Sequence, residues 1–209
     1  MSLSPSPFLV LALPRCRTAW LARFLSYGPW TCSHEEARHL RSMEDVNSWL
    51  SLPFVGTVET AVAPFWRIFT QTRPSVRIVV IRRPIGEVVE SLLRAGATVP
   101  RDSLISLVTR LDAKLIQVTR RLVGVLSVRY DELGDIETCR RVFEFCLPSV
   151  PFDPKWHSFL APINIQAPVW AMENYIRAYL PQLARMARIA RNESLLAIAK
   201  KELPPCPSV

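Results

Sequence analysis

Residues 8–21 read FLVLALPRCRTAWL, and this stretch decides the fold class. Residues 8–13 are apolar at every position, so the side chains that would point to either face of a sheet are apolar. This pattern predicts a strand buried on both faces. Over residues 18–26 the apolar positions take helical spacing instead. The stretch therefore predicts a strand, a tight loop and a helix, the unit from which α/β folds with parallel sheets are built.

The same alternation repeats along the first 150 residues. Further strands are predicted at 54–58, 76–82 and 124–129, and helices at 34–41, 60–70, from Pro84 onward, 104–122 and 136–145. Repeated strand and helix units build a central, mainly parallel sheet with helices on its faces. The sequence predicts an α/β fold of this kind.

Local signals predict how some of these helices begin and how the chain ends. Ser33 is expected to cap the helix over 34–41, with Glu36 at the capping-box position. Pro84 is expected at the first position of its helix. Prolines become frequent after residue 148, and 169–199 is predicted to be mostly helical. We expect a single domain over 1–209, with a helical C-terminal part from about residue 150.

Composition sets limits on the class of protein. At 209 residues and 49% hydrophobic content, the chain is long enough to bury a core. Its apolar runs are far shorter than the roughly 20 residues of a membrane span, so no transmembrane helix is expected. The absence of a basic leader predicts a cytoplasmic location. Five cysteines without paired spacing or a histidine cluster predict neither disulfides nor a metal site.

The formal charge of +8 favours anionic partners, which include phosphate-bearing cofactors, acidic substrates and nucleic acids. A basic nucleic-acid-binding module is therefore one alternative, with arginines concentrated in residues 101–121 and 177–191. No zinc finger, basic zipper or RNA-recognition signature accompanies the charge. Nucleic acid is accordingly not the expected partner, and the sequence does not indicate an oligomeric state.

The loop at residues 14–20 is the first candidate site, because ligands of parallel sheets bind beyond the carboxyl ends of the strands. Arg15 and Arg17 supply charge and bidentate donors, and Thr18 supplies a hydroxyl. The alternative is that both arginines decorate a surface turn. The loop lacks the Gly-x-x-x-x-Gly-Lys-Ser/Thr pattern of ordinary ATP and GTP enzymes. An atypical phosphotransferase remains an alternative.

Pro14-Arg15-Cys16-Arg17-Thr18-Ala19-Trp20 resembles the first loop of the sulfotransferases that use 3'-phosphoadenosine-5'-phosphosulfate. The resemblance implies a three-layer P-loop-type fold and no metal. Two departures are Cys16 for a usual serine and Arg17 where many members have glycine. Arg15 would stabilise the bridging oxygen as the sulfuryl group leaves. By resemblance, the 5' phosphosulfate is held by Arg15, Cys16, Arg17, Thr18, Ala19 and Trp20.

Two later segments extend the resemblance over residues 8–135. The Arg82 to Ser91 segment is similar to the family's second motif, which implies that Arg83 and Ser91 bind the 3' phosphate, with Arg82 as the alternative to Arg83. The segment Val128-Arg129-Tyr130-Asp131-Glu132-Leu133 is similar to the third, which implies that Tyr130 lies near the adenine. Ordinary capping, surface and core roles are the alternatives. The family's Arg-Lys-Gly segment has no counterpart.

A base that accepts the acceptor's proton is the remaining requirement of sulfuryl transfer. His34 and Glu35 are the candidates, because some bacterial members carry a catalytic glutamate at about this place. Glu59, at a strand end, is a competitor, while His39 and His157 lack such a context. The resemblance thus implies an enzyme that moves a sulfuryl group to a hydroxyl or amine, without identifying the acceptor.

Overall fold

The computed structural model describes residues 5–165 together with residues 185, 186 and 188. This part of the chain holds a five-stranded sheet in which every pairing is parallel. The strand order is β2-β3-β1-β4-β5, so β1 lies at the centre. The strands are β1 (Phe8–Ala12), β2 (Thr31–His34), β3 (Val55–Glu59), β4 (Arg77–Arg82) and β5 (Leu126–Arg129).

Helices flank the sheet and connect its strands. Three short 3-10 turns, Glu36–Arg38, Ala63–Phe65 and Tyr130–Gly134, lie in the connections. The helices are α1 (Thr18–Phe24), α2 (Met43–Ser51), α3 (Trp66–Thr72), α4 (Ile85–Arg94), α5 (Arg101–Arg121), α6 (Ile136–Cys146) and α7 (Pro154–Leu160). The predicted α/β class with a parallel central sheet flanked by helices is confirmed.

The core lies on both faces of the central strands. All five residues of β1 are buried, as are Ile78 to Ile81 in β4, which explains why these strands read as continuous apolar runs. Phe8 pairs with Gly56 of β3, and a Cβ at Gly56 would lie 2.1 Å from the Phe8 ring. Only glycine lets β3 pass this ring.

The helix predicted over 34–41, with Ser33 as its cap, is wrong. Ser33 lies within β2, and the Glu35 N–H donates to the Val58 carbonyl oxygen at 3.0 Å, which continues the parallel pairing beyond the strand. Sheet pairing therefore overrides the capping pattern. The helix that the sequence did not predict, α2, begins nine residues after the predicted start, at a capping box formed by Ser42 and Asp45.

Other boundaries differ by a few residues. Pro84 is the residue before α4 rather than its first residue. The predicted helix over 60–70 divides into a 3-10 turn and α3. The helical prediction for 169–199 lies outside the described residues, apart from 185, 186 and 188, and the single-domain boundary stays a prediction. Within the described ranges, no helix is both long and apolar enough to cross a membrane.

Candidate active site

A cleft of about 310 Å³ lies at the carboxyl edge of the sheet. Each of the five strands contributes a lining residue shortly after its end: Arg15, Glu35, Thr60, Arg83 and Tyr130. Parallel strands direct these connections to one edge, so the topology itself assembles the cleft. The other lining residues are Pro14, Arg17, Thr18, Ala19, Trp20, His34, Ser91, Ala161, Pro162, Ile163, Asn164 and Ile165.

The loop after β1 has an unusual backbone. Arg15 and Arg17 both adopt left-handed conformations, with φ of 63° and 56°. A non-glycine residue in this region costs about 1–2 kcal/mol, and such strain persists where surrounding contacts hold it. One such contact is the bond of 3.0 Å that the Arg83 guanidinium donates to the Arg15 carbonyl oxygen. The second motif thus holds the first loop in shape.

The Arg15 and Arg83 side chains meet at one end of the cleft. Arg15 Nε donates to Ser91 Oγ at 3.2 Å, and the Arg83 guanidinium lies 4.1 Å from the centre of the Tyr130 ring. Arg83 also pairs with Glu87 at 3.0 Å. Ser91 is therefore bonded to Arg15 rather than to Arg83, although all three side chains line the same end of the cleft.

Electrostatics favour an anion at this end. Partial burial lowers the pKa of Arg15, and the nearby positive charge of Arg83 lowers it further. Two cations held together away from bulk water repel each other, and a bound anion relieves that repulsion. The arrangement is suited to phosphate or sulfate groups.

Arg17 connects the loop to the opposite wall. Its guanidinium donates to the carbonyl oxygens of Leu133 at 3.4 Å and Ala161 at 3.2 Å, and lies 4.4 Å from the Trp20 ring centre. Trp20 Nε1 donates to the Leu160 carbonyl oxygen at 2.9 Å. These bonds hold residues 161–165 against the cleft.

The Cys16 side chain does not line the cleft. It is fully buried in the core beneath the loop, and this burial raises the pKa of its thiol to about 12. A buried thiol with so high a pKa is neutral and unreactive at physiological pH. Any contact of Cys16 with a ligand is therefore limited to its backbone.

Arg82 faces away from the cleft. Its guanidinium makes two bonds of 2.7 Å with the carboxylate of Asp112 in α5. Asp112 is only 7% exposed, so the pair joins the end of β4 to α5. Of the two neighbouring arginines, Arg83 lines the cleft and Arg82 does not.

His34 and Glu35 line the cleft on the β2 and β3 side of the central strand. His34 Nε2 is 3.1 Å from Thr18 Oγ1 and 3.8 Å from Glu35 Oε1. Burial, with a smaller effect of the Arg38 charge, lowers the pKa of His34 to about 4. The imidazole is therefore neutral at pH 7 and only weakly basic.

Glu35 is held by β3. Its Oε1 accepts bonds from Thr60 Oγ1 at 2.6 Å and from the Thr60 N–H at 3.2 Å. Burial raises the pKa of Glu35, although these bonds oppose the effect. Its backbone is also left-handed, with φ of 62°. Glu59, the competing candidate, is fully buried behind Glu35 and does not line the cleft.

Sequence reasoning missed part of the lining. Thr60 lies in the predicted helix over 60–70 and directly follows the candidate Glu59 at a strand end, and that position after a strand is the signal that could have identified it. Residues 161–165 carry no motif, and only the tertiary bonds from Arg17 and Trp20 bring them to the cleft. Of the described residues, no three His, Cys, Asp or Glu side chains form a metal-binding group.

Three solved structures with a similar fold are sulfotransferases. The sulfotransferase domain from the curacin biosynthetic pathway has a TM-score of 0.58 at 12% identity, covering 90% of this chain and 98% of that one. A sulfotransferase from Alicyclobacillus acidocaldarius has a TM-score of 0.53 at 13% identity, covering 90% and 96%. A mouse sulfotransferase complexed with PAP has a TM-score of 0.56 at 12% identity, covering 75% and 62%.

The chain thus has a sulfotransferase-like fold, and it spans less than two thirds of the mouse protein. No family model matches the chain, and no curated protein matches it in sequence.

Proposed function

We propose that this chain transfers a sulfuryl group from 3'-phosphoadenosine-5'-phosphosulfate to a hydroxyl or amine acceptor. The observation that carries the proposal is that residues from all three sequence motifs line one cleft. The fold is that of sulfotransferases, one of which was solved with PAP. The acceptor's identity is left open.

In this proposal, the donor nucleotide binds in the part of the cleft that is lined by Arg15, Arg83, Ser91 and Tyr130. Arg83 and Ser91 bind the 3' phosphate, and Tyr130 lies beside the adenine. Arg15, Arg17 and Thr18 bind the 5' phosphosulfate together with the loop backbone. Three guanidiniums at one cleft supply the charge-assisted bonds that a bisphosphorylated ligand needs.

The reaction is a displacement at sulfur. The acceptor oxygen or nitrogen forms a bond to sulfur while the bond from sulfur to the bridging phosphate oxygen breaks. Adenosine 3',5'-bisphosphate leaves with that electron pair, and Arg15 stabilises the charge that develops on its oxygen. The acceptor's proton passes to a base on the β2 and β3 side of the cleft, next to the phosphosulfate loop.

Glu35 is the better of the two candidate bases. The pKa of Glu35 is raised by burial, which makes it a stronger proton acceptor than an ordinary carboxylate. The pKa of His34 is lowered to about 4, and its Nε2 is already engaged with Thr18. His34 therefore positions Thr18, and Glu35 takes the proton.

Calorimetry with adenosine 3',5'-bisphosphate tests the proposal. The wild-type chain should bind it, and Arg83→Ala should weaken binding roughly tenfold to a hundredfold, because charge-assisted bonds contribute about 1.5–3 kcal/mol. Arg15→Ala should reduce turnover more than binding, because its main contact forms as the sulfuryl group leaves. Turnover is measured as bisphosphate release with a panel of phenols, sugars and amines.

Arg110→Ala is the matched control, because it removes one exposed arginine from α5 outside the cleft. It should leave bisphosphate affinity unchanged. Absence of binding by the wild-type chain would overturn the proposal. ATP-dependent turnover without the sulfonucleotide would point instead to an atypical phosphotransferase, and a salt-dependent mobility shift would point to nucleic acid.

A further inference from the structure

A second carboxyl group lies directly behind Glu35. Glu59 is the last residue of β3 and is fully buried. Its Oε1 accepts a bond of 2.8 Å from Thr57 Oγ1 and one of 2.9 Å from the Ala37 N–H. The Glu59 side chain is also hydrogen bonded to that of Glu35. One carboxyl group of the pair thus faces the cleft, and the other lies in the core.

A hydrogen bond between two carboxyl groups requires a proton, and the surroundings of the two groups decide which of them carries it. Two buried carboxylates in contact cannot both stay ionised, so the pair shares one proton. Each carboxyl group accepts one bond from a threonine hydroxyl and one from a backbone N–H, so these bonds do not decide which group is ionised. Glu35 lines the cleft, whereas Glu59 is fully buried, and a negative charge costs more at the buried position. Burial, and next the charge of Glu35, raise the pKa of Glu59 well above its ordinary value.

The charged surroundings agree with this assignment. Arg38 acts on Glu35 and favours its ionised form. His34, with its Nε2 3.8 Å from Glu35 Oε1, is neutral and adds no positive charge. The Cys32 thiol near Glu59 is buried, and this burial raises its pKa, so it is protonated. The positive charge near the pair thus acts on Glu35, while the only charge that acts on Glu59 is that of Glu35 itself, among the described groups that shift its pKa.

We propose that Glu59 is a positioning residue that keeps one proton in the core and holds Glu35 as the ionised proton acceptor facing the cleft. The catalytic part of this inference rests on the proposed function, whereas the shared proton does not. Glu59 also fixes the turn in which Glu35 lies, through its bond from the Ala37 N–H. One side chain thereby sets both the position and the charge of the base.

A pH dependence follows with a definite sign. The folded-state pKa of Glu59 is raised, so the shared proton is present at neutral pH and is lost as the pH rises through that value. Loss of the proton leaves two negative charges in contact in a dry interior. Turnover should therefore fall as the pH rises through the pKa of Glu59. It should also fall at low pH, where Glu35 becomes protonated and can no longer accept a proton.

Carbon-13 NMR of the full chain labelled at glutamate side-chain carboxyls tests the shared proton directly. We expect the wild-type spectrum to contain the signal of one protonated carboxyl at pH 7. This signal should be absent from the spectrum of Glu59→Gln. Glu35→Gln should move that titration to lower pH, because it removes the neighbouring charge. Ionisation of every glutamate at pH 7, or persistence of the protonated signal in Glu59→Gln, would overturn the inference.

The pH profile of turnover tests the positioning role. In Glu59→Gln the amide still accepts from Ala37 and donates to Glu35, so turnover at pH 7 should stay within about threefold while the alkaline fall disappears. Glu35→Gln should lose about a hundredfold or more in kcat. Glu36→Gln, a neighbouring glutamate outside the pair, should keep the wild-type profile. A Glu59→Gln profile identical to the wild type contradicts the positioning role.

Binding of adenosine 3',5'-bisphosphate to the same variants separates the two proposals. The Glu59→Gln and Glu35→Gln chains should bind it as the wild type does, because neither side chain is at the donor end. If the wild type does not bind it, the proposed function is wrong, and the NMR titration still decides whether the carboxyl pair shares a proton.

Discussion

Arg17 combines a strained backbone with bonds to two other parts of the chain. Its φ of 56° is the left-handed conformation that glycine adopts without cost. Its side chain meanwhile bonds the Leu133 and Ala161 carbonyl oxygens. The loop tolerates arginine here because these bonds offset the strain.

Replacing Arg17 separates the two effects. Arg17→Gly and Arg17→Ala both lose the side-chain bonds, but only alanine retains the strain. We expect the glycine variant to have a free energy of unfolding about 1 kcal/mol higher than the alanine variant. Urea unfolding measures the difference. Ala22→Gly, within α1, should instead lower stability, and equal stability of the two Arg17 variants would show that the loop relaxes once the guanidinium is gone.

At the scale of elements, the Arg82 and Asp112 pair joins β4 to α5. Asp112 is only 7% exposed, so the pair is shielded from water on the Asp112 side. Removing the Asp112 charge leaves the Arg82 guanidinium without its ionic partner. Asp112→Asn should lower the free energy of unfolding by about 1–3 kcal/mol. Affinity for adenosine 3',5'-bisphosphate should not change. Urea unfolding and calorimetry measure the two quantities.

Arg83→Ala is the matching variant, because it alters the neighbouring arginine that lines the cleft. It should weaken nucleotide binding, and because it also removes the bond to the Arg15 carbonyl oxygen, binding rather than stability is the quantity that separates it from Asp112→Asn. If Asp112→Asn weakened nucleotide binding as much as Arg83→Ala does, the division between the two arginines would be wrong.

The elements that were predictable from sequence are those with strong hydrophobic patterning. The strands β1 and β4 are buried apolar runs, and their positions were predicted within one residue. The strand β2, Thr31–His34, is short, polar and at the edge of the sheet, so it carries no such signal. The prediction that Ser33 caps a helix depends on a local sequence pattern. The pairing of β2 with β3 overrides that pattern.

At the scale of the whole molecule, the cleft takes residues from every strand connection and from the segment after α7. A ligand bound there should stabilise the whole fold by mass action. Adenosine 3',5'-bisphosphate at a hundred times its dissociation constant should add about 2.7 kcal/mol to the free energy of unfolding. Thermal unfolding with increasing nucleotide measures this.

Adenosine without phosphates is the control ligand for this measurement. It should have little effect on unfolding, because the arginines have no anion to bind. Equal stabilisation by both compounds would show that the guanidiniums do not contribute to recognition.

The residues of the candidate site were largely predictable, but their pairings were not. The three motifs predicted Arg15, Arg83, Ser91 and Tyr130, and the family resemblance suggested Glu35; all five line the cleft. The partner of Ser91, the burial of Cys16 and the bonds from Arg17 to the opposite wall depend on how distant segments pack. Those contacts are set by tertiary structure, which spacing along one chain does not encode.

The central position of β1 gives the cleft two flanks, which the contact of His34 with Thr18 connects. Arg83 and Tyr130 follow β4 and β5 on one side of β1, while Glu35 and Thr60 follow β2 and β3 on the other. Donor binding and proton removal, as proposed, thus depend on opposite halves of the sheet. Substitutions in the β2 and β3 connections could change the accepted substrate during evolution or engineering while the donor half is inherited unchanged.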